Sequence, residues 1–426
     1  MQKIRLPYGK TGMDIDIPEK FLNGVYHAQL PPPVDDQQTE IIRALDNPVN
    51  SEPLEHLASG KKSAVIIASD HTRPVPSKFI IPEMLKRLRA GNPDIDITIL
   101  IATGCHRETT SAELINKFGE KIVENEKIII HDSRDDSMLT DLGKLPSGGI
   151  LKLNKLALET DLLVAEGFIE PHFFAGFSGG RKSVLPGIAA AGTVMANHCA
   201  KFIDSPFCRT GILENNPIHL DMLFAAEKAK LAFIVNTVIN GDKKIVRAFA
   251  GNFRDAHLAG CSFLKSQCRI KVPAADIVIT SNGGHPLDQN IYQSVKGMTA
   301  GETVCNPGGV IIIAASSSDG HGGEAFYCTL CNAASPSELL KEISLVPADK
   351  TPPDQWQYQI LARILEKFHV IIATRDCDHQ IIRNMGMQAA STLNEALALA
   401  FEITGKEAAI SVIPDGVSVI VERAEC

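Results

Sequence analysis

The densest chemistry in the chain lies in Glu170–Lys201, EPHFFAGFSGGRKSVLPGIAAAGTVMANHCAK. Within it, Gly176-Phe-Ser-Gly-Gly-Arg-Lys-Ser183 nearly matches the phosphate-cradling pattern GxxxxGK[ST]. Arg181 stands where the pattern's last glycine belongs. Small residues such as Ser178, Gly179 and Gly180 let backbone N–H groups approach phosphate oxygens, and Lys182 adds a cation. His172 precedes Lys182 and His198 follows it. Imidazole serves as a base near neutral pH or as a metal ligand. Three more candidates sit in short polar stretches: Asp70 and Arg73 in Ser69-Asp-His-Thr-Arg-Pro74, and His106 in Ala102-Thr-Gly-Cys-His-Arg-Glu108. Arginine's planar fork suits carboxylate or phosphate.

These stretches follow apolar, β-branched runs. Such runs recur at Ala64–Ala68, Ile95–Ala102, Lys127–His131, Leu162–Ala165, Phe233–Val238, Asp276–Thr280, Val310–Ala315, Val370–Ala373 and Ile410–Ile413. Helical patterns lie between many of them, for example Lys78–Ala90, Leu287–Met298 and Gln355–Phe368. Strands alternating with helices predict an α/β fold with largely parallel sheets flanked by helices. Near-continuous apolar strands fit sheets covered on both faces. Ligands of such sheets bind beyond the carboxyl ends of the strands, where the polar residues collect. Two domains are expected, with the active site in the cleft between them. The first covers 1–268 and is completed by 404–426; the second covers 269–403. Ala408–Val421 reads as two strands around a Pro-Asp-Gly turn.

Composition narrows the function classes. Forty-two Lys and Arg face 50 Asp and Glu, a net charge of −8, which disfavours nonspecific nucleic-acid binding. The N-terminal MQKIRLPYGK has no apolar core of a secretory signal, and no apolar run is long enough to span a bilayer. Ten cysteines in such a chain read as reduced thiols of a cytoplasmic protein. Cys328-Thr-Leu-Cys331 is a lone CxxC without a second pair to complete a zinc site. Gly320-His-Gly-Gly-Glu-Ala325 fits GxGxxA only as a glycine-rich turn.

Taken together, the motifs resemble the lactate racemase family that uses a nickel-pincer nucleotide. The resemblance is carried by Ser69–Ser77, Thr103–Arg107, Glu170–Ser183, Asn197-His198, Tyr292–Gly297 and Asp354-Gln-Trp356, in the family's order. It implies a nicotinate-derived mononucleotide with two sulfur arms and a nickel–carbon bond, attached covalently through Lys182. His198 would be the protein's nickel ligand. Asp70, Thr72, Arg73 and Ser178–Gly180 would receive the rest of the cofactor. His106 and His172 match the two acid/base histidines. Gln293 and Lys296 match substrate-binding positions, with Arg73 a further candidate and Tyr292 and Trp356 as pocket wall. The implied reaction is racemisation of a small 2-hydroxy acid, lactate first, by removal and return of a hydride. Related 2-hydroxy acids (malate, 2-hydroxyglutarate, aromatic or sugar acids) are the alternative substrates. The implied partners are that acid and the proteins that build and load the cofactor.

Two other classes compete. A phosphate-loop NTPase would use Gly176–Ser183, although Arg181 departs from its pattern and no acidic magnesium partner is evident. A noncatalytic cofactor carrier would need neither His106 nor His172.

Overall fold

A computed structural model describes residues 1–424 of the chain. The apolar runs form two six-stranded sheets. In the first, the spatial order is Ile245–Asn252, Leu231–Ile239, Leu162–Phe168, Ser63–Ser69, Asp96–Ala102, Lys127–Ile130. All neighbours are parallel except the hairpin of Leu231–Ile239 with Ile245–Asn252. At its centre Ile66 lies opposite Ile99 on one side and Val164 on the other. In the second sheet the order is Gln388–Ala390, His369–Ala373, Cys305–Ala314, Ala275–Ser281, Ile410–Ile413, Leu22–Val25, parallel throughout. The architecture is therefore a two-domain α/β fold.

Three segments differ from the sequence reading. Residues 404–426 were expected to complete the first domain, but Ile410–Ile413 lies inside the second sheet, between Ala275–Ser281 and Leu22–Val25. Its four residues are all buried, so it needs cover on both faces and neighbours on both edges. Ile420–Arg423 pairs with Arg269–Val272 rather than folding back on Ile410–Ile413. The N-terminus also belongs here: Leu22–Val25 forms the sheet edge, and Met13–Ile17 packs on the helix Leu393–Thr404. Leu22–Val25 and Ile410–Ile413 thus both belong to the second sheet, whereas Ile420 packs with Ile169, Phe177 and Leu264 of the first domain. The helix expected from Leu287 starts at Ile291, because the Asn290 side chain caps it by accepting from Gln293 N at 2.9 Å.

Apolar packing joins the domains. One continuous cluster runs from Leu153, Ile188 and Ile203 of the first to Ile291, Val295, Ile360 and Ile364 of the second. The outer face of each sheet carries its own cluster, around Ile66 and Ile99 in one and Ile277 and Ile312 in the other. No helix among the described residues is long and apolar enough to cross a membrane.

Candidate active site

Both sheets turn their carboxyl strand ends towards one cleft. After Ser63–Ser69 the chain enters the loop carrying Asp70, Thr72 and Arg73. Glu166, buried in the neighbouring strand, anchors this loop by accepting from Ser69 N, Ser69 Oγ and Ser77 Oγ at 2.8–3.0 Å. Asp70 is buried, and its Oδ1 accepts from the Thr72 N–H and hydroxyl. Its Oδ2 lies 2.7 Å from His106 Nδ1. A carboxylate there selects the tautomer with the proton on Nδ1 and leaves the Nε2 lone pair free. Burial pushes the Asp70 carboxyl up, but hydrogen bonding and charge attraction from His106, with Thr72 and Arg73, outweigh it and hold it below its ordinary range.

After Leu162–Phe168 comes a tight hairpin, Pro171–His172 against Gly176–Phe177, and then a 3-10 turn, Gly180–Ser183. Arg181 explains why this is no phosphate loop. Its fully buried guanidinium turns back and donates to the carbonyls of Phe177 at 2.8 Å and Ala175 at 2.7 Å. Gly179 and Gly180 have φ of 75° and 54°, and a Cβ would stand 2.7 Å from Asn236 Oδ1 and 2.6 Å from the His257 ring respectively. Gly180 N donates to Asn236 Oδ1 at 2.7 Å, and Ser178 donates its hydroxyl to Phe168 O and its N–H to Glu170 O. Ser178, Gly180 and Thr72 thus spend their donors on the protein. They shape the loops rather than offering hydrogens to a phosphate, which the NTPase reading requires.

The loop delivers Lys182 into the cleft, its Nζ 5.7 Å from the Phe174 ring centre. Burial, then the like charges of Arg181, Arg73 and Lys296, drive this amine far below its usual range, against the attraction of Glu170. His172 is held neutral by burial and by the charges of Lys182, Lys296 and Arg73. Its Nδ1 accepts from Ala175 N at 3.3 Å. Burial likewise raises the Glu170 carboxyl, although Arg73, Lys296 and Lys182 pull the other way.

His198 ends the helix Ala191–Asn197. Its Nδ1 donates to Val194 O at 2.9 Å, leaving Nε2 without a hydrogen-bond partner among the described residues. Burial and Lys182 depress its pKa to about 3. The ring contacts Phe174 on one side (centroids 5.1 Å apart) and Trp356 of the second domain on another (5.0 Å).

The second domain contributes the helix Ile291–Val304. Tyr292 and Lys296 lie one turn apart, on the same face. Lys296 Nζ is 6.0 Å from the Phe173 ring centre, and burial, with Arg73, lowers its pKa to about 8. Gln293 Oε1 is buried with no hydrogen-bond partner among the described residues. Tyr292 donates its hydroxyl to Asp354 Oδ1 at 2.8 Å.

The structure therefore brings Arg73, His172, Lys182, His198, Lys296 and Trp356 around one space, with Gln293 on the same helix as Lys296 and the His106–Asp70 pair on the adjoining loop. The Cys328–Cys331 pair lies on the helix Glu324–Asn332, whose Phe326 packs against the Tyr292 ring (centroids 5.3 Å apart). Four acidic residues were not assigned from sequence. Glu170 and Asp415 share the cationic cluster, Glu166 anchors the Asp70 loop, and Asp354 holds Tyr292. Glu170 and Asp354 stood inside quoted motifs, which was the available signal. Glu166 gave none beyond being a charge in an apolar strand.

Whether a metal–nucleotide fits can be tested on the donors. Among the described residues no group of three or more His, Cys, Asp or Glu could hold a metal ion. A metal here would have to bring most of its own ligands and take one imidazole. His198 has the form of such a ligand, with Nδ1 tied to a carbonyl and Nε2 open. A lysine driven towards its neutral form is a competent nucleophile for covalent attachment. The residues fit the group.

Comparison with known proteins gives the family. The fold is that of a racemase, an isomerase. Residues 8–211 match the lactate racemase N-terminal domain and residues 270–421 the lactate racemase C-terminal domain. A lactate racemase from Thermoanaerobacterium thermosaccharolyticum is 53% identical over 425 residues, covering 99% of this chain and all of that protein. One from Lactiplantibacillus plantarum is 51% identical over 429 residues, with 99% and 100% coverage. The lactate racemase apoprotein structure from T. thermosaccharolyticum superimposes with a TM-score of 0.96 at 53% identity, over 99% of this chain and 100% of that one. A Thermotoga maritima protein shares the fold alone, with a TM-score of 0.62 at 18% identity over 93% and 100%. The chain belongs to the lactate racemase family.

Proposed function

We propose that this enzyme racemises a small 2-hydroxy acid, lactate first, with a nickel-pincer nucleotide held through Lys182. The observation that carries the reading is the convergence of Lys182, His198, His172 and Lys296 on one cleft beside the His106–Asp70 pair. Both curated relatives, at 53% and 51% identity, are lactate racemases. Nine described cysteines are free, in keeping with a reducing, cytoplasmic setting.

When bound, the nucleotide would supply an acceptor and donor for the substrate's α-hydrogen together with its electron pair. Lys182 Nζ would hold it covalently and His198 Nε2 would hold the nickel. Arg73, exposed and without an ion pair among the described residues, is available to its phosphate or to the substrate carboxylate. Lys296 and Gln293 would orient the acid, the ammonium meeting the carboxylate. His106 Nε2 takes the hydroxyl proton as the alcohol becomes a ketone. On the opposite side His172 would give a proton to the substrate oxygen as the ketone is reduced, after taking one from solvent at Nδ1 in place of its contact with the Ala175 N–H, while His106 returns its proton to solvent. Phe173, Phe174 and Trp356 keep water from the planar 2-keto acid.

The test is racemisation of α-deuterated L-lactate by protein made alongside the cofactor-building proteins. D-lactate that keeps its deuterium supports the reading. Exchange of the label with water, or no turnover, contradicts it.

A further inference from the structure

The helix Gln355–Lys367 begins irregularly. Asp354, at its N-cap, has φ 65° and ψ 4°, in the left-handed region that a non-glycine residue enters at an energetic cost. Aspartate is a favoured N-cap, yet this side chain caps no backbone N–H. Its Oδ1 instead accepts from the Tyr292 hydroxyl. A strained residue withheld from its ordinary structural use points to function.

Its position is informative. Tyr292 lies one turn, about 6 Å, along the helix from Lys296. Trp356, two residues beyond Asp354, packs on His198. Cys105, next to His106, lies within reach of the Asp354 charge. Asp354 thus lies between Tyr292, which it binds, and Cys105 of the His106 loop. It makes no ion pair among the described residues, and Arg134 is the cation that also acts on Cys105. The cations Arg73, Lys182 and Lys296 gather around Glu170 instead.

We propose that Asp354, with Tyr292, is a specificity-determining residue: its carboxylate makes the far wall of the pocket anionic, which rejects 2-hydroxy acids bearing a second carboxylate and selects monocarboxylates. The proposal rests on the substrate reading above. With one carboxylate on Lys296, the methyl of lactate meets the apolar face of Tyr292. The second carboxylate of malate would be directed at Asp354, and like charges in a half-buried site repel strongly.

The test compares kcat/KM for L-lactate and L-malate in the cofactor-loaded wild type, Asp354→Asn and Asp354→Gly. Asparagine tolerates the left-handed backbone and keeps an acceptor for Tyr292; glycine relieves the strain and removes the side chain. Thermal melts confirm folding of both. The malate-to-lactate ratio should rise at least about tenfold in each variant. An unmoved ratio, or variants folded but inactive towards both acids, overturns the proposal alone. A loaded wild type that turns over neither acid overturns the substrate reading, and this proposal with it.

Discussion

Asp70 Oδ2 stands 2.7 Å from His106 Nδ1, whereas among the described residues His172 has no carboxylate partner and its Nδ1 meets only the Ala175 N–H. The two candidate acid/base histidines are therefore inequivalent. One is held in the tautomer of a ready base. The other is neutral among cations.

Asp70→Asn should retain cofactor but lose the orientation of His106. An amide can donate to Nδ1 and so invert the tautomer. The expected loss in kcat is roughly 10²–10⁴-fold, similar to that of His106→Ala, with the double variant little worse than either. Steady-state racemisation of loaded protein measures this. A less than threefold effect would remove His106 from proton transfer.

The pKa of Lys296, about 8, gives a pH prediction. Only the protonated amine attracts a carboxylate. Rising pH neutralises it, so kcat/KM should fall above about pH 8, by up to tenfold per unit. Lys296→Arg keeps its charge and should abolish that alkaline limb. A limb unchanged in the arginine variant would assign it to another group.

Arg181→Met should cost roughly 2–5 kcal/mol, because it leaves the buried carbonyls of Ala175 and Phe177 without donors. Chemical denaturation of the unloaded protein measures this directly. A change below about 0.5 kcal/mol would mean that the loop carrying Lys182 does not depend on this anchor.

Much of this was legible in the chain because parallel sheets leave a strong trace. Strands such as Ala64–Ala68 and Leu162–Ala165 are apolar on both faces, and the polar residues after them mark the strand ends. The course of the termini was not legible. Ile410–Ile413 carries no mark of which sheet it enters, and Leu22–Val25, with its Asn and Gly, is a weak edge strand. The near-match to a phosphate loop misled because backbone donors look free in a sequence. Only coordinates show that Ser178 and Gly180 have spent theirs on Phe168, Glu170 and Asn236. The roles of Glu170 and Asp354 depend on partners remote in sequence, Lys296 of the other domain for one and Tyr292 for the other, which no local pattern encodes.

The most direct test of the central claim is the intact mass and nickel content of the chain produced with the cofactor-building proteins, beside its Lys182→Ala variant. The account predicts a covalent mononucleotide adduct on the wild type, localised to Lys182 by peptide mapping, with close to one nickel per chain, and neither in the variant. An unmodified, fully racemising wild type, or an adduct that survives Lys182→Ala, would contradict it.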